Sequence, residues 1–315
     1  MPLSFRLKKI IEVLGFYDIA TLAYLKWMAM RHNIKMETGG PAHSETIRFH
    51  ATNGRCIILS RRHVMYGADV VKFFDYYYDA VIPSSQNGKN LVDYSEPAWH
   101  TLKQSGVKFH FSSLPESDTT TSIYLKKAAL GPDSVVIDLG GYCGASSYFF
   151  AKAAGPQSRI LCLEPDPLNY ESLLKNIQFH QLKNVTPLPL AIWSRSGKLS
   201  FETEGNMGSG VYEVHPRNTR PVEIESITLE ELAAKHQLER IDFIKMDIEG
   251  AESVVLPSAV SFLKKYRPCL IVEPHIVAGK LNTDEVAQIL SDIGYKLEFI
   301  PQGELQLPLI FATMD

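Results

Sequence analysis

The chain has 315 residues, with 32 Lys and Arg against 35 Asp and Glu and a formal net charge of −3. Hydrophobic residues make up 45% of it and charged residues 21%, which excludes a mostly disordered, collagenous or disulfide-stapled protein. Because the charge is near neutral, we expect no nucleic-acid partner. The four cysteines are widely separated. That spacing indicates free thiols in a reducing compartment and predicts a cytoplasmic protein.

The N-terminal stretch from residue 6 to 35 begins basic and is rich in apolar residues. Charged side chains interrupt it, so no uncharged stretch reaches the ~20 residues of a membrane span, and no transmembrane segment is predicted. The simpler interpretation is an amphipathic helix packed on the rest of the protein. The alternative is a peripheral membrane contact, with Arg6, Lys8 and Lys9 near anionic lipid.

Up to about residue 130 the periodic signals are short and mixed. The segments TIRFHA and RCIILSRRH predict a hairpin around Asn53-Gly54. The segment ADVVKFFDYYYDAVI fits a helix or a strand. Residues 83–118 are rich in Ser, Asn, Gly and Pro, which predicts surface loops. We assign residues 1–120 to an N-terminal extension with a helix and short strands, able to act as a lid over substrate or cofactor.

From about residue 130 onward, apolar runs alternate with helical segments. The predicted strands are SVVIDLG, RILCLEP, VTPLPLAIW, DFIKMDI, RPCLIVEP, YKLEFI and PLIFAT. The two prolines of VTPLPLAIW favour an edge position or a ragged strand end. Predicted helices include residues 252–266 and 284–293, and TLEELAAKH opens with a capping box. The alternation predicts an α/β domain over residues 121–315, with a doubly wound, mainly parallel seven-stranded sheet.

The strongest motif is VVIDLGGYCGASSYFF, in which Asp138 closes a strand and Gly140, Gly141 and Gly144 form the turn into a helix. The first βα turn of such a sheet is where nucleotide-like cofactors bind. A dinucleotide fingerprint would need a further glycine where Leu139 stands. An acidic residue before a looser glycine turn fits a ligand with an amino group, which points to S-adenosylmethionine. The alternative is a purely structural turn.

The second motif is Glu164, at the end of the next predicted strand, 26 residues after Asp138. A carboxylate at this position can accept hydrogen bonds from both hydroxyls of a ribose. Together with the glycine turn, it supports an adenosine-containing cofactor.

The third motif is IDFIKMDIEGAE, which places Lys245, Asp247, Glu249 and Glu252 at and beyond a strand end. Three carboxylates within six residues repel one another unless a cation, a proton or a ligand offsets them. The alternative is a solvated strand end at which Glu252 caps a helix.

The fourth motif is IVEPHI, which brings Glu273 and His275 to the end of the following strand. His275 is a candidate general base near neutral pH. A structural histidine is the alternative.

In this order, the four motifs resemble the FkbM family of S-adenosylmethionine-dependent methyltransferases, which have the Rossmann-like class I methyltransferase fold. DLGGYCG is similar to the glycine segment of the family, LEPDP with Asn176 beyond it to the second segment, and KMDIEGAE to its most specific element, K-x-D-x-E-G-x-E. The resemblance extends from about Asp133 to His275. Gly141 stands where the family often has alanine, which is a conservative difference.

The resemblance implies methyl transfer to a hydroxyl oxygen, often on a sugar or glycan or on a natural product, as a small-molecule acceptor. The implied cofactor-binding residues are Glu116, Asp138, Gly140, Gly141, Tyr142, Gly144, Glu164, Pro165 and Ala191. Glu116 belongs to the SLPES segment, at a place where such enzymes often close over the methionine end of the cofactor.

The candidate catalytic residues are Asp247, Glu249, Glu252 and His275. One of them removes the hydroxyl proton, or together they hold a divalent cation that lowers its pKa. No metal ligands are assigned, and Lys245 is expected to pair with one of the carboxylates. Two other classes stay open: a non-catalytic cofactor-binding scaffold and, with less support, an NAD-dependent oxidoreductase.

Between the third strand and KMDIEGAE, Gly205, Gly208 and Gly210 form a cluster between alternating segments, which predicts a hairpin. Its loop is either mobile over the substrate or an inert surface turn.

Overall fold

The computed structural model describes residues 17–39, 45–86, 89–116, 118–214, 221–302 and 308–314. The chain divides into two compact units. The first consists of Met1–Lys108 with Ser113–Pro115, and the second of Phe109–Ser112 with Glu116–Asp315. The predicted membrane-facing residues Arg6, Lys8 and Lys9 lie outside the described residues.

The first unit contains helices and short strands. In chain order these are α1 (Tyr17–Arg31), β1 (Ile34–Thr38), β2 (Thr46–Ala51), β3 (Cys56–Ser60), a 3₁₀ helix (Arg61–Tyr66), α2 (Gly67–Lys72), α3 (Phe74–Asp79), β4 (Ser84–Gln86), β5 (Lys89–Tyr94), β6 (Ala98–Thr101) and the start of β7 (Lys108–Phe111). Five of the strands form a sheet in the order β1-β2-β3-β5-β4.

The hairpin predicted at Asn53-Gly54 is confirmed, since β2 and β3 pair antiparallel, with Thr46 opposite Ser60 and His50 opposite Cys56. Gly54 takes a φ of +82°, a conformation that glycine adopts without strain. The local Asn-Gly signal therefore predicts this turn correctly.

Two other expectations for this region are resolved. The ambiguous segment ADVVKFFDYYYDAVI is helical, as α2 and α3. The prediction of surface loops over residues 83–118 is wrong, because this stretch contains β4 to β7. β5 pairs in parallel with β3, more than thirty residues away. A strand whose partner is that distant in sequence carries little local signal of its own.

The second unit is larger. Its elements after β7 are α4 (Asp118–Ala128), β8 (Val135–Leu139), α5 (Ala145–Ala154), β9 (Arg159–Leu163), α6 (Pro167–His180), β10 (Val185–Leu188), β11 (Ala191–Ile192), β12 (Gly197–Glu202), β13 (Gly210–Val211), β14 (Val222–Ile227), α7 (Leu229–Lys235), β15 (Phe243–Met246), α8 (Glu252–Ser258), α9 (Val260–Tyr266), β16 (Cys269–Val272), β17 (Ile276–Val277), β18 (Lys280–Leu281), α10 (Thr283–Ile293), β19 (Lys296–Ile300) and β20 (Leu309–Thr313).

A seven-stranded sheet in the order β10-β9-β8-β15-β16-β20-β19 is the centre of this unit. All of its strands run in one direction except β20, which is antiparallel to both neighbours. This is the doubly wound, mainly parallel sheet of the class I methyltransferase type, so the predicted fold class is confirmed. The proline-containing strand β10 lies at an edge of this sheet, but the predicted single strand VTPLPLAIW is wrong, because it divides into β10 and β11, which belong to different sheets.

Both faces of the sheet are buried. Along β8, Val135, Ile137 and Leu139 pack into one hydrophobic cluster, whereas Val136 packs into a second cluster. Because alternate residues of a strand point to opposite faces, the two clusters are the two layers between sheet and helices. This explains why the strands are continuous apolar runs.

Two helical predictions differ from the structure in detail. The helix predicted over 252–266 is two helices, α8 and α9, because Pro257 lies in the last turn of the first and Ala259 leaves helical geometry. In the predicted capping box, Thr228 Oγ1 accepts from Glu231 N at 3.1 Å. The Glu231 carboxylate instead accepts from Ser196 Oγ at 2.6 Å, so only half of the box forms.

The predicted hairpin between β11 and β15 is present as a four-stranded sheet in the order β11-β14-β12-β13. Among the described residues, no helix is both long and apolar enough to cross a lipid bilayer.

Candidate active site

The turn after β8 brings its backbone unusually close to the end of β15. A Cβ atom on Gly140 would lie 1.8 Å from the carbonyl oxygen of Asp247, and Gly140 also takes a φ of +74°. Its amide donates to the Leu163 carbonyl at 3.1 Å. Glycine is therefore required at 140 for both conformation and space, and the turn joins the carboxyl ends of β8, β9 and β15.

Gly141 is constrained by a neighbour that the sequence did not reveal. A Cβ atom there would lie 2.1 Å from Cys162 Sγ, on β9. The expectation that alanine would be a conservative exchange at this position is wrong for this chain, because the buried Cys162 side chain occupies the space that the methyl group needs.

Glu164 lies at the end of β9 and is 5% exposed. Its carboxylate accepts from the backbone amides of Tyr142 at 2.8 Å and Asp166 at 2.9 Å, and from Asn169 Nδ2 at 3.3 Å. Burial, with a further contribution from Asp166, raises the pKa of Glu164 to about 8. The structure thus places Glu164 directly against the glycine turn, as the sequence predicted.

Lys245 is 2% exposed and lies among carboxyl groups. Its Nζ donates to the Gly140 carbonyl at 2.7 Å and lies 3.3 Å from Asp247 Oδ2 and 3.7 Å from Asp138 Oδ1. Burial alone would lower the pKa of Lys245, but Asp247 and Asp138 outweigh it and raise the pKa above its ordinary value. Lys245 therefore ties two strand ends to the glycine turn, which confirms the expected pairing.

Asp138 is fully buried. Its Oδ2 accepts from Ser146 Oγ at 2.7 Å and Ser147 Oγ at 2.6 Å, whereas its Oδ1 has no hydrogen-bond partner in the part of the chain that the structure describes. One oxygen therefore fixes the start of α5, and the other faces the lysine as an acceptor with spare capacity.

Two further carboxyl groups adjoin Lys245. Burial raises the pKa of Glu116 to about 8 and that of Glu273 to about 7, with like charges nearby contributing in both cases. Tyr124 donates to Glu273 Oε2 at 3.2 Å. The structure thus brings Glu116 into the same charged cluster as Asp138 and Lys245.

His275 lies among three of the predicted catalytic carboxylates. Its Nδ1 is 3.1 Å from Glu252 Oε1, and its Nε2 is 3.4 Å from Asp247 Oδ1 and 3.5 Å from Glu249 Oε1. Burial would lower the pKa of His275, but Glu249 and Glu252 raise it well above its ordinary value. At neutral pH the ring is thus an imidazolium, which holds carboxylates together but cannot itself take up a proton.

Glu252 and Asp247 differ in access. Glu252 is fully buried, and its oxygens are occupied by Ile248 N at 3.2 Å, by His275 and by Asn282 Nδ2 at 3.2 Å. Asp247 keeps 28% of its side chain exposed. Burial would raise the pKa of Asp247, but Lys245 and then His275 lower it below its ordinary range. Glu252 therefore orients His275, whereas Asp247 is an accessible anion.

Asp247, Glu249 and His275 each offer one ligand atom within 4.8 Å of the others. Two carboxylates and an imidazole are ligands that can bind a divalent cation. Among the described residues of this site, these three are the group whose ligand atoms lie close enough together to bind one metal ion.

The remaining predicted residues are distributed around the glycine turn. Tyr142 follows Gly141 with a left-handed φ of +47°, and Gly144 precedes α5 with a φ of +82°. Pro165 separates Glu164 from Asp166. Ala191 is buried in β11, which belongs to the four-stranded sheet and not to the seven-stranded one.

Several residues of the site escaped the sequence analysis. Asp166 caps α6 by accepting from Leu168 N at 2.8 Å, and its second oxygen accepts from Gly205 N at 2.9 Å and Ser209 Oγ at 2.6 Å. Asn169 donates to both Glu164 and the Asn206 carbonyl. The N-cap position of Asp166 before a proline was the one available signal. The glycine-rich loop is thus hydrogen-bonded to the Glu164 turn, and its residues Gly205 and Asn206 are buried.

Asn206 is the least expected member. Its side chain is fully buried, yet among the described residues neither Oδ1 nor Nδ2 has a hydrogen-bond partner. A buried unpaired amide costs about 1–3 kcal/mol, and such groups are rare in folded proteins.

Comparison with known proteins adds one decisive finding. The model of the methyltransferase FkbM domain matches residues 138–297, from the acidic end of β8 to the start of β19. The chain belongs to the FkbM methyltransferase family. The predicted resemblance is confirmed, and the matched range contains the glycine turn, Glu164 and the KMDIEGAE segment.

Curated relatives are similar to part of this chain. It is 28% identical over 153 residues to 2-O-methyltransferase NoeI of Sinorhizobium fredii, covering 43% of this chain and 61% of that protein. It is 27% identical over 160 residues to hexuronic acid methyltransferase AglP of Haloferax volcanii, covering 51% and 62%. The chain therefore spans about three fifths of the length of these relatives.

Among solved structures, methyltransferase FkbM from Methylobacillus flagellatus is similar with a TM-score of 0.46 and 15% identity. The similarity covers 80% of this chain and 54% of that one.

Proposed function

We propose that this FkbM-family chain is an S-adenosylmethionine-dependent O-methyltransferase that acts on a hydroxyl of a sugar or glycan. The observation that carries the proposal is the joining of three strand ends at one glycine turn. Glu164 accepts a hydrogen bond from the backbone amide of Tyr142 in the turn. Lys245 donates to the Gly140 carbonyl of the same turn and forms an ion pair with Asp247. Cofactor-binding and acceptor-activating groups thereby meet at the carboxyl edge of one sheet, where ligands of such folds bind.

The residues present fit the cofactor. Carboxyl groups outnumber basic groups around Lys245 and His275, which favours a ligand with a positive sulfonium and an ammonium group. Glu164 would accept from the ribose hydroxyls, and Asp138 and Glu116 would face the amino group. The unpaired side-chain amide of Asn206 lies in a loop that Asn169 connects by hydrogen bonds to Glu164. The adenosine part of the bound cofactor would supply hydrogen-bonding partners for this amide.

S-adenosylmethionine supplies a methyl group on a positively charged sulfur. With it bound, a carboxylate of this chain would have to take up the hydroxyl proton of the acceptor, because a hydroxyl is a poor nucleophile until it loses that proton. Of the four candidates, Asp247 and Glu249 are the accessible carboxylates, at 28% and 20% side-chain exposure. Because Lys245 and His275 stabilise the Asp247 anion, we assign proton removal to Glu249 and acceptor positioning to Asp247 and His275. Glu252 is a positioning residue for His275.

We base the proposed acceptor class on the relatives, one a 2-O-methyltransferase and one a hexuronic acid methyltransferase. For location we propose the cytoplasm. The four cysteines are widely separated in the sequence, a spacing typical of thiols in a reducing compartment.

The test measures S-adenosylhomocysteine release with a panel of uronic acids and oligosaccharides bearing free hydroxyls. We expect release with at least one acceptor, lost in Glu249→Gln while cofactor affinity stays within a factor of about three, because Glu249 acts on the acceptor. Cofactor binding without turnover of any acceptor would favour the scaffold function. Absence of cofactor binding would contradict the proposal altogether.

Metal removal distinguishes a mechanism that uses a protein base from a mechanism that needs a bound cation. We expect full activity after exhaustive chelation, because proton removal is assigned to a carboxylate. The measurement is the initial rate before and after chelation, and after Mg²⁺ or Mn²⁺ is restored. Loss of activity that Mn²⁺ restores would instead assign Asp247, Glu249 and His275 as cation ligands.

A further inference from the structure

Helix α1 exposes an apolar face to solvent. Tyr24 is 52% exposed, Trp27 47% and Met30 63%, whereas Leu25 and Ala29 on the other side are buried at 1%. Ala20 and Ala23 are exposed as well, and together with these three side chains they form the α1 face. The spacing of three and four residues places them on one side of the helix. Several large apolar side chains exposed together mark a binding surface.

The side chains of the α1 face are arranged in a specific way. The rings of Tyr24 and Trp27 stack with centroids 5.9 Å apart, and the guanidinium carbon of Arg31 lies 4.9 Å from the Trp27 ring centroid. Trp and Tyr carry an apolar body and a polar tip, which suits the boundary between lipid tails and headgroups. Arg31 can reach headgroups from this position.

The charged side chains close to the α1 face in sequence are basic. From residue 19 to 34 the chain contains Lys26 and Arg31 but no acidic residue. The first 35 residues hold six basic and two acidic residues, a net charge of +4, whereas the whole chain carries −3. A basic segment on an acidic chain is complementary to an anionic surface. Two copies pairing through this face would bring like charges together, which disfavours a dimer here.

We propose that the α1 face binds the surface of an anionic lipid bilayer, with the helix in the plane of the interface and its aromatic side chains between headgroups. The helix has 15 residues, and no described helix can cross a bilayer, so the contact is peripheral. One helix of this kind gives reversible binding that weakens with salt.

The test is co-sedimentation of the full chain with vesicles of phosphatidylcholine and phosphatidylserine in equal amounts, and with vesicles of phosphatidylcholine alone. We expect binding to the mixed vesicles that salt reduces. The double variant Tyr24→Ser/Trp27→Ser should lower the partition coefficient by at least about tenfold. Its matched control is Phe299→Ser, which removes an aromatic ring that is 53% exposed in the second unit and should have no effect.

Charge reversal tests the electrostatic part. Lys26→Glu/Arg31→Glu should lower binding to the mixed vesicles by about thirtyfold. The control Lys264→Glu/Lys280→Glu makes the same change of net charge at exposed positions in the second unit and should leave binding nearly unchanged. Circular dichroism checks that each variant is folded.

Three outcomes would overturn the proposal: absence of sedimentation with the mixed vesicles at low salt, equal binding of the test and control variants, or equal binding to the two vesicle types. A concentration-dependent dimer in analytical ultracentrifugation, lost in Trp27→Ser and without vesicle binding, would assign the α1 face to a second copy instead.

Discussion

Glu164 combines a raised pKa with a position suited to ribose hydroxyls. With a pKa of about 8 in the free protein, its carboxyl group is mostly protonated at neutral pH. To accept from two hydroxyls it must ionise, so cofactor binding should release a proton and strengthen as pH rises towards about 8.

Titration calorimetry with S-adenosylhomocysteine in buffers of different ionisation enthalpy measures this proton. We expect release of up to one proton near pH 7 for the wild-type protein, and less in Glu164→Gln, which should also bind at least about tenfold more weakly. Equal proton release by the two proteins would assign the proton to another group.

Gly141 and Cys162 form a pair that can be tested by a double-mutant cycle. Gly141→Ala should lower the free energy of unfolding by about 1–3 kcal/mol, because its methyl group overlaps the cysteine sulfur. In a Cys162→Ala background the same change should cost much less, giving a coupling energy above about 1 kcal/mol. Urea denaturation of the four proteins measures it, and simple additivity would show that the clash is relieved elsewhere.

The positions of the site residues in the sequence explain why part of the site could be predicted. Gly140, Glu164 and the KMDIEGAE carboxylates are next to strand ends in the sequence, so their meeting follows from parallel topology alone. The protonation of His275 and the unpaired amide of Asn206 depend on burial and on neighbours distant in sequence. No local pattern encodes those properties.

At the scale of elements, Asp166 joins the start of α6 to the loop between β12 and β13. Asp166→Ala should lower the free energy of unfolding by about 2 kcal/mol or more, since it removes a helix cap and leaves Gly205 N and Ser209 Oγ without this acceptor. It should also weaken S-adenosylhomocysteine binding. Urea denaturation and calorimetry measure the two effects.

The matched control is Thr228→Ala, which removes the N-cap of α7 outside the cofactor site. It should cost about 1 kcal/mol and leave cofactor affinity unchanged. If both cap variants weakened binding equally, the effect would come from general destabilisation.

Strands and turns could be predicted from the sequence where the pattern that specifies them lies within a short stretch of the chain. β8, β9, β15 and β16 are apolar runs because both faces of their sheet are covered, and the β2–β3 turn contains Asn-Gly. β4 to β7 were missed because short strands in a polar stretch are specified by distant partners. The break between α8 and α9 follows Pro257, a residue that interrupts helical hydrogen bonding.

For the whole molecule, buried acids predict how stability depends on pH. The folded state raises the pKa of Glu116 and Glu164 from 4.5 to about 8, and that of Glu273 to about 7. The folded protein therefore binds more protons than the unfolded chain between these values, so stability should fall as pH rises from 4.5 to about 8. The raised pKa of His275 acts in the same direction.

Urea denaturation across this pH range measures the slope. Glu116→Gln/Glu273→Gln should reduce it, because two of the titrating groups are removed. A stability that is constant or rises over the range would contradict these protonation states.

The order of strands in the larger sheet has a consequence for how acceptor preference can change. Glu164 and Asp247 end the strands on either side of β8, so their backbones are two strand spacings apart, roughly 10 Å. Hydrogen bonding between strands sets that length, and side-chain exchange in the surrounding loops leaves it intact. Exchanging loops around the site therefore leaves the spacing between the carboxyl ends of β9 and β15 unchanged.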